Sequence, residues 1–299
     1  MSKNVAAVDI GTNSVRLLIV DSNGNELVRE MNITKLGQGV DNTGALHADA
    51  IERTIHVLTS YGALMRQHAV TQVRATATSA ARDASNREEF FALVEGSIGH
   101  APELISGDEE AQLSFQGATA GMSPALGPFM VFDIGGGSTE FARGVHRPEQ
   151  HISVNMGGVR ITERFLHHDP PTAGEIESAR AHIRTLLNRV QTTVDIDGIQ
   201  TWLGLAGTVT SFAAAAAKLE VYDASVTHGY VLTRETIREF GDQLLRATTA
   251  ERAKLLLEPK RAGVIIGGAV VLDEIVTQFG VTQLVTSERD ILDGLAQSL

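Results

Sequence analysis

Apolar residues recur along this 299-residue chain in two rhythms, and the alternation between them predicts the architecture. Compact apolar runs bounded by glycine and small polar residues predict strands, whereas apolar residues three and four apart predict helices with one buried face. By this reading Asn4 to Ile10 is a strand, Gly11 to Ser14 a turn, and Val15 to Asp21 the returning strand, with Asn25 to Leu36 a third. A helix follows over 47–68, its Ile51, Ile55, Leu58 and Met65 spaced for one face, and Gln72 to Thr78 is again a strand. Ser106 or Asp108 caps a further helix whose first turn holds Glu109 and Glu110, where carboxylates suit the helix dipole. Those two glutamates project in different directions, so at most one faces any cleft.

The pattern starts afresh after Met122 to Pro128, whose prolines and glycine mark a boundary. Phe129 to Phe141 reads as strand, tight turn, strand, and another strand lies near His151 to Asn155. An amphipathic helix occupies 172–192, with Ile176, Ala179, Ile183, Leu187 and Val190 on one stripe. Thr201 to Ser211 runs from a strand through a small-residue turn into an alanine-rich helix. A long, largely buried helix over 260–276, a strand over 282–287 and a last helix over 290–299 complete the chain. Two domains are therefore predicted, 1–124 and 125–299, with the final segment 289–299 able to pack back on the first.

The repetition reaches individual residues. Val8-Asp9-Ile10-Gly11-Thr12-Asn13-Ser14-Val15-Arg16 aligns without gaps on Phe132-Asp133-Ile134-Gly135-Gly136-Gly137-Ser138-Thr139-Glu140, and apolar runs bracket both. Such an internal duplication predicts two similar domains that present their turns to each other across a cleft. A glycine turn leaves backbone N–H groups in a shallow concavity free of Cβ atoms, a ready site for phosphate. Gly11, Thr12, Asn13 and Ser14 are the candidates in the first copy, and Gly135, Gly136, Gly137 and Ser138 in the second. Asp133 and Glu140 flank the second turn, and two carboxylates beside phosphate predict a divalent cation, Mg²⁺ or Mn²⁺. Arg16 stands where the other copy has Glu140, which predicts a cation near the phosphates on one side and a metal-binding anion on the other.

Composition narrows the picture. Hydrophobic residues make up 43% and charged residues 20%, as in an ordinary globular protein. There is no cysteine, which excludes disulfides, thiolate metal sites and cysteine nucleophiles. A net charge of −11 argues against a nucleic-acid-binding surface and requires local cations, or metal carried with the substrate, if a polyanion is to bind. No apolar run approaches a membrane span and Met1 to Asn4 leads straight into a strand, so a cytoplasmic protein with no membrane partner is expected.

The paired Asp-Ile-Gly turns resemble the actin-like ATPase superfamily, in which two such hairpins clasp a phosphate chain. The wording Asp133-Ile-Gly-Gly-Gly-Ser-Thr-Glu140 is closer still to the exopolyphosphatase and guanosine pentaphosphate phosphohydrolase family, in its short two-domain form. The resemblance covers nearly the whole chain and implies an α/β fold of two actin-like, ribonuclease H-like domains. Each has a mixed sheet flanked by helices, with the active site in the cleft between them. It further implies that Arg82, in Ser79-Ala-Ala-Arg82, contacts substrate phosphate and that Glu110, in Ser106-Gly-Asp-Glu-Glu-Ala111, activates the attacking water. Gly207 and Thr208 match the family's Gly-Thr motif and are candidates for phosphate binding, as the N–H groups of a helix start also suggest. Arg160, in a segment similar to the family's Gly-x-x-Arg, and the lone His228 receive no role. Longer family members carry Gly-Leu-Arg-Glu-Gly where this chain has Asp290-Ile-Leu-Asp-Gly294, so that arginine's contribution is absent.

The implied reaction is hydrolysis of the terminal phosphoanhydride bond of inorganic polyphosphate, releasing orthophosphate. Guanosine pentaphosphate is the alternative substrate, and an actin-like nucleotide-binding protein with little turnover and a small-molecule kinase are alternatives of other classes. An acidic chain with a short cationic path predicts preference for short polyphosphates and release between cuts. A homodimer that joins two half-tracks stays open as the exception.

Overall fold

The computed structural model describes residues 3–299. Two mixed sheets form the frame. The first runs β3 (Glu26–Ile33), β2 (Ser14–Val20), β1 (Asn4–Ile10), β4 (Val70–Ala77) and β5 (Glu103–Leu104). The second runs β10 (Val231–Thr233), β11 (Gln283–Thr286), β9 (Thr201–Leu205), β6 (Phe129–Ile134), β7 (Thr139–Gly144) and β8 (Pro148–Val154). Apart from the added edge strand β10, the two have the same order and sense: three antiparallel strands in sequence, then two parallel strands reached by crossovers. The register repeats as well, with Asp9 opposite Arg16 in one hairpin and Asp133 opposite Glu140 in the other.

Each sheet buries its central strand because a strand with helices on its faces must be apolar on both sides. Val8, Ile10 and Leu17 meet Leu58, Tyr61 and Phe90 in the first lobe, while Phe132 and Phe141 meet Ile183, Leu187 and Val270 in the second. The helix Gly107–Thr119 belongs to neither alone. Its Ala111, Phe115 and Ala118 pack on Phe129, Val131 and Leu203 of the second sheet, while its Leu113 joins Ala7 and Leu18 of the first with Ile291, Leu292 and Leu295 of the last helix. That last helix, Ile291–Gln297, packs on β1, β2 and helix 107–119.

Some predicted boundaries move for local reasons. The third strand stops at Ile33 because Thr34 and Lys35 turn their N–H groups to the Asn13 carbonyl and Lys35 adopts a left-handed φ of 54°. The long helix begins at Ile265 rather than Lys260, since Pro259–Arg261 forms a separate 3₁₀ turn capped by the Glu258 side chain. Among the described residues no helix is long and apolar enough to cross a membrane.

Candidate active site

The two turns are built alike, and both turn their carbonyls away from the cleft. Gly11 N–H donates to Ser14 O at 3.0 Å and Gly135 N–H to Ser138 O at 3.1 Å, closing each hairpin. Behind the first turn, the Thr12 carbonyl accepts from Gly37 N–H and the Asn13 carbonyl from Thr34 and Lys35. Behind the second, the Gly135, Gly136 and Gly137 carbonyls accept from backbone N–H groups of 157–160, at the start of helix Gly158–Phe165. With the carbonyls fixed on that side, the N–H groups of Thr12, Asn13, Gly136 and Gly137 find no acceptor among the described residues. These four residues line the cleft. Unpaired N–H groups converging on a cavity are an anion site in waiting. Glycine is required on the second side by proximity: a Cβ at Gly136 would stand 2.8 Å from Thr12 Cβ, and one at Gly137 2.4 Å from Ser79 Oγ.

Around the turns lies a ring of carboxylates. Asp133 is buried, accepts from Ser114 Oγ at 3.2 Å, and is pushed up to about 6, first by burial and then by the neighbouring charges of Asp290 and Asp9. Glu140 accepts from Ser153 Oγ at 2.6 Å through one oxygen while the other, Oε2, is buried with no partner. Burial, reinforced by Glu110 and Asp133, holds its pKa well above the usual carboxylate range. Glu110 lines the cleft with 14% of its side chain exposed and is raised to about 7, burial outweighing the opposing guanidinium of Arg82. Glu109, one residue earlier, points away to Arg74 Nη2 at 2.7 Å, and Ser106 caps the helix that carries both.

Arg82 stands against Glu110, its Nη1 2.9 Å from Glu110 Oε2 and 3.0 Å from Ile105 O, with Nη2 3.5 Å from Ser138 Oγ. Gly207 and Thr208 line the cleft from the start of helix Ala206–Ala216, after a left-handed φ of 67° at Ala206. Arg160 does not line the cavity; it lies buried behind the second turn. His228 serves the local backbone, its Nδ1 accepting from Glu288 N–H at 3.2 Å.

Three cleft residues, Asp9, Asp290 and Arg261, receive no role from the sequence pattern. Arg16, expected as a cation near the phosphates, lines the cleft and is ion-paired to Asp9 at 2.7 Å and to Asp290. Burial opposes its charge, but Asp290, Asp9 and Asp133 outweigh that and drive its pKa up. Asp9 could have been found, because it is the aligned twin of Asp133. Asp290 replaces the glycine of the family wording, a change read from sequence only as the loss of an arginine two residues later. Arg261 is the third: it lines the cleft over the Gly207 backbone, makes no ion pair among the described residues, and has its pKa lowered by burial. Beyond it the cavity, about 710 Å³ in all, is walled by apolar groups including Ala215, Leu219, Leu256 and Met31, with Tyr222 beside them.

The donor set suits a hard divalent cation that keeps part of its own shell. Glu140 Oε2 and Asp9 Oδ1 are buried and unpartnered, as oxygens awaiting a cation would be. Among the described residues no three acidic or imidazole side chains converge tightly enough to form a protein-only cage, so water and ligand oxygens would complete the shell, as Mg²⁺ prefers.

A duplicated α/β frame that turns two sets of free N–H groups and a raised carboxylate onto one cleft defines a phosphate-handling protein of two matched lobes. More narrowly, the chain belongs to the Ppx/GppA phosphatase family, whose model matches residues 18–299. It is 44% identical to exopolyphosphatase 2 of Mycobacterium tuberculosis, over 99% of this chain and 98% of that one. A solved exopolyphosphatase-like protein superposes with a TM-score of 0.95 at 37% identity, covering 98% of both chains. The Aquifex aeolicus member of the Ppx/GppA family superposes with a TM-score of 0.82 at 32% identity, over 100% of this chain and 98% of that one.

Proposed function

We propose that this phosphatase is an exopolyphosphatase: it hydrolyses the terminal phosphoanhydride bond of inorganic polyphosphate and releases orthophosphate. The observation that carries the reading is Glu110, a carboxylate with its pKa raised to about 7, facing two opposed turns whose N–H groups are free. In this reading the N–H groups of Thr12, Asn13, Gly136 and Gly137, with Gly11, Ser14, Gly135 and Ser138, hold the terminal phosphates. Gly207 and Thr208 hold the chain farther along. Glu110 accepts a proton from the attacking water, and Arg82 keeps Glu110 in place and offers its second nitrogen toward phosphate beside Ser138. Asp133 and Glu140 hold Mg²⁺ or Mn²⁺, which when bound neutralises charge on the phosphoryl oxygens.

A second reading, hydrolysis of guanosine pentaphosphate, is favoured by one feature that inorganic polyphosphate leaves unexplained. The far end of the cleft joins apolar walls to the unpaired Arg261, a combination that suits a base and an extra phosphate. Phosphate release from polyphosphate, guanosine pentaphosphate and ATP, measured side by side with Mg²⁺, tests both. The expected order places polyphosphate first; a kcat/KM highest for guanosine pentaphosphate would replace the first reading with the second, and turnover of none would overturn both.

A further inference from the structure

Arg160 is a buried arginine with contacts on both lobes. From the start of helix 158–165 its Nε donates to the Gly137 carbonyl at 2.8 Å, fixing the last peptide of the second turn. Its two terminal nitrogens leave the second lobe altogether. Nη1 pairs with Asp41, while Nη2 pairs with Asp83 and lies 3.4 Å from Ser79 Oγ, all groups of the first lobe. The neighbouring turns of the same helix reach the same place: Arg164 also pairs with Asp41, and Glu163 accepts from Gly39 N–H at 3.1 and 3.2 Å. Beside this network Thr12 lies against Gly136 with no room for a Cβ between them.

We propose that Arg160 is a positioning residue that couples closure of the two lobes to assembly of the second glycine turn. Its planar fork spans three acceptors that no single ammonium could reach together. With the lobes closed, Asp41 and Asp83 hold the guanidinium in place and its Nε holds the Gly137 carbonyl back, so the Ser138 N–H of that same planar peptide faces the cleft. With the lobes apart, Arg160 loses its two carboxylates and the Gly137 carbonyl loses a fixed donor. The Gly137 carbonyl is thereby held by both its donors, the Gly157 N–H and a fixed Arg160 Nε, only in the closed form, which tightens the anion cradle as the lobes meet.

The kinetic arm of the test rests on the hydrolase reading; a second arm does not. Arg160→Lys keeps the charge but not the fork, and Asp41→Asn and Asp83→Asn leave Arg160 in place, so a folding failure of one variant leaves the others informative. Each is expected to lower kcat, Arg160→Lys by about 10²-fold, the scale of a misplaced catalytic frame. The second arm exploits the absence of native cysteine. A donor and an acceptor dye on Glu52→Cys and Glu239→Cys, exposed positions of the first and second lobes, report the distance between lobes by energy transfer. Arg160→Lys and Asp41→Asn are expected to shift it to longer values. Variants that lower only the thermal midpoint, with kcat within about twofold of wild type and an unchanged dye distance, would reduce the network to an ordinary salt bridge and overturn the proposal. A wild-type protein inactive on every phosphoanhydride but showing the dye shift would overturn the functional reading and leave the coupling standing.

Discussion

Glu110 is where one side chain decides the chemistry. Glu110→Gln preserves the shape and removes the base, so kcat is expected to fall by about 10²- to 10⁴-fold while substrate still binds. Glu109→Gln, altering a carboxylate that faces Arg74, is the matched control and is expected to do much less. The same residue makes a stability prediction. Burial raises its pKa from 4.5 to about 7, so the folded chain holds this proton more tightly than the unfolded one. Its contribution to stability is full below 4.5 and is lost as pH rises through about 7. In metal-free buffer, Glu110→Gln is therefore expected to gain thermal midpoint relative to wild type between about pH 5 and about pH 8. A difference between the two proteins that stays flat with pH would contradict the raised pKa.

Helix 107–119 shows how an element can hold a site together. It presents Glu110 at its first turn and, two turns on, passes so close to the last helix that a Cβ at Gly117 would stand 1.8 Å from the Asp290 carbonyl oxygen. Gly117→Ala therefore has to part the two helices, at a cost of about 1–3 kcal/mol for overpacking, and it moves Asp290 and Glu110 together. Urea unfolding and kcat are both expected to fall. Gly96→Ala, in helix Arg87–Ile98 with nothing within 4 Å of the added carbon, is instead expected to stabilise by about 0.5–1 kcal/mol.

At this scale the sequence was most legible. The nine aligned residues around Asp9 and Asp133 announced two equal hairpins, and the strands pair in one register because the same alternation of buried and turn residues dictates it. Arg16 stands beside the phosphate turns as its place in the hairpin implies, but its second partner, Asp290, lies 274 positions away, and no local pattern records such a pairing. Arg261 was absorbed into a helix that starts four residues later, its basic pair looking like an ordinary polar end.

For the molecule as a whole, charge is the governing fact. Eight carboxylates and four cations line the cleft, in a chain of net charge −11. Two of those cations, Arg16 and Arg29, are already paired with carboxylates. A polyanion is repelled from such a site unless a cation comes with it. Activity is expected to vanish in excess EDTA and to return with Mg²⁺, and Asp133→Asn and Glu140→Gln are each expected to raise the metal concentration required. Long-range retention of a polyphosphate chain is expected to be poor for the same reason. Partly digested long chains are expected to run on a gel as a ladder of gradually shortening species; full-length chains beside end products alone would reveal processive action.

The chain crosses between the lobes twice, once after helix 107–119 and once between β11 and the last helix, which returns to β1 and β2. Two fixed crossings leave a pair of rigid bodies one easy motion, rotation about the line through both, as a door turns on two pins. Leverage then differs from group to group. Asp290, which caps the last helix and lies against Gly117, is mounted beside the pins and travels little, whereas Thr12 and Gly136, on opposite lobes, can separate as the door swings.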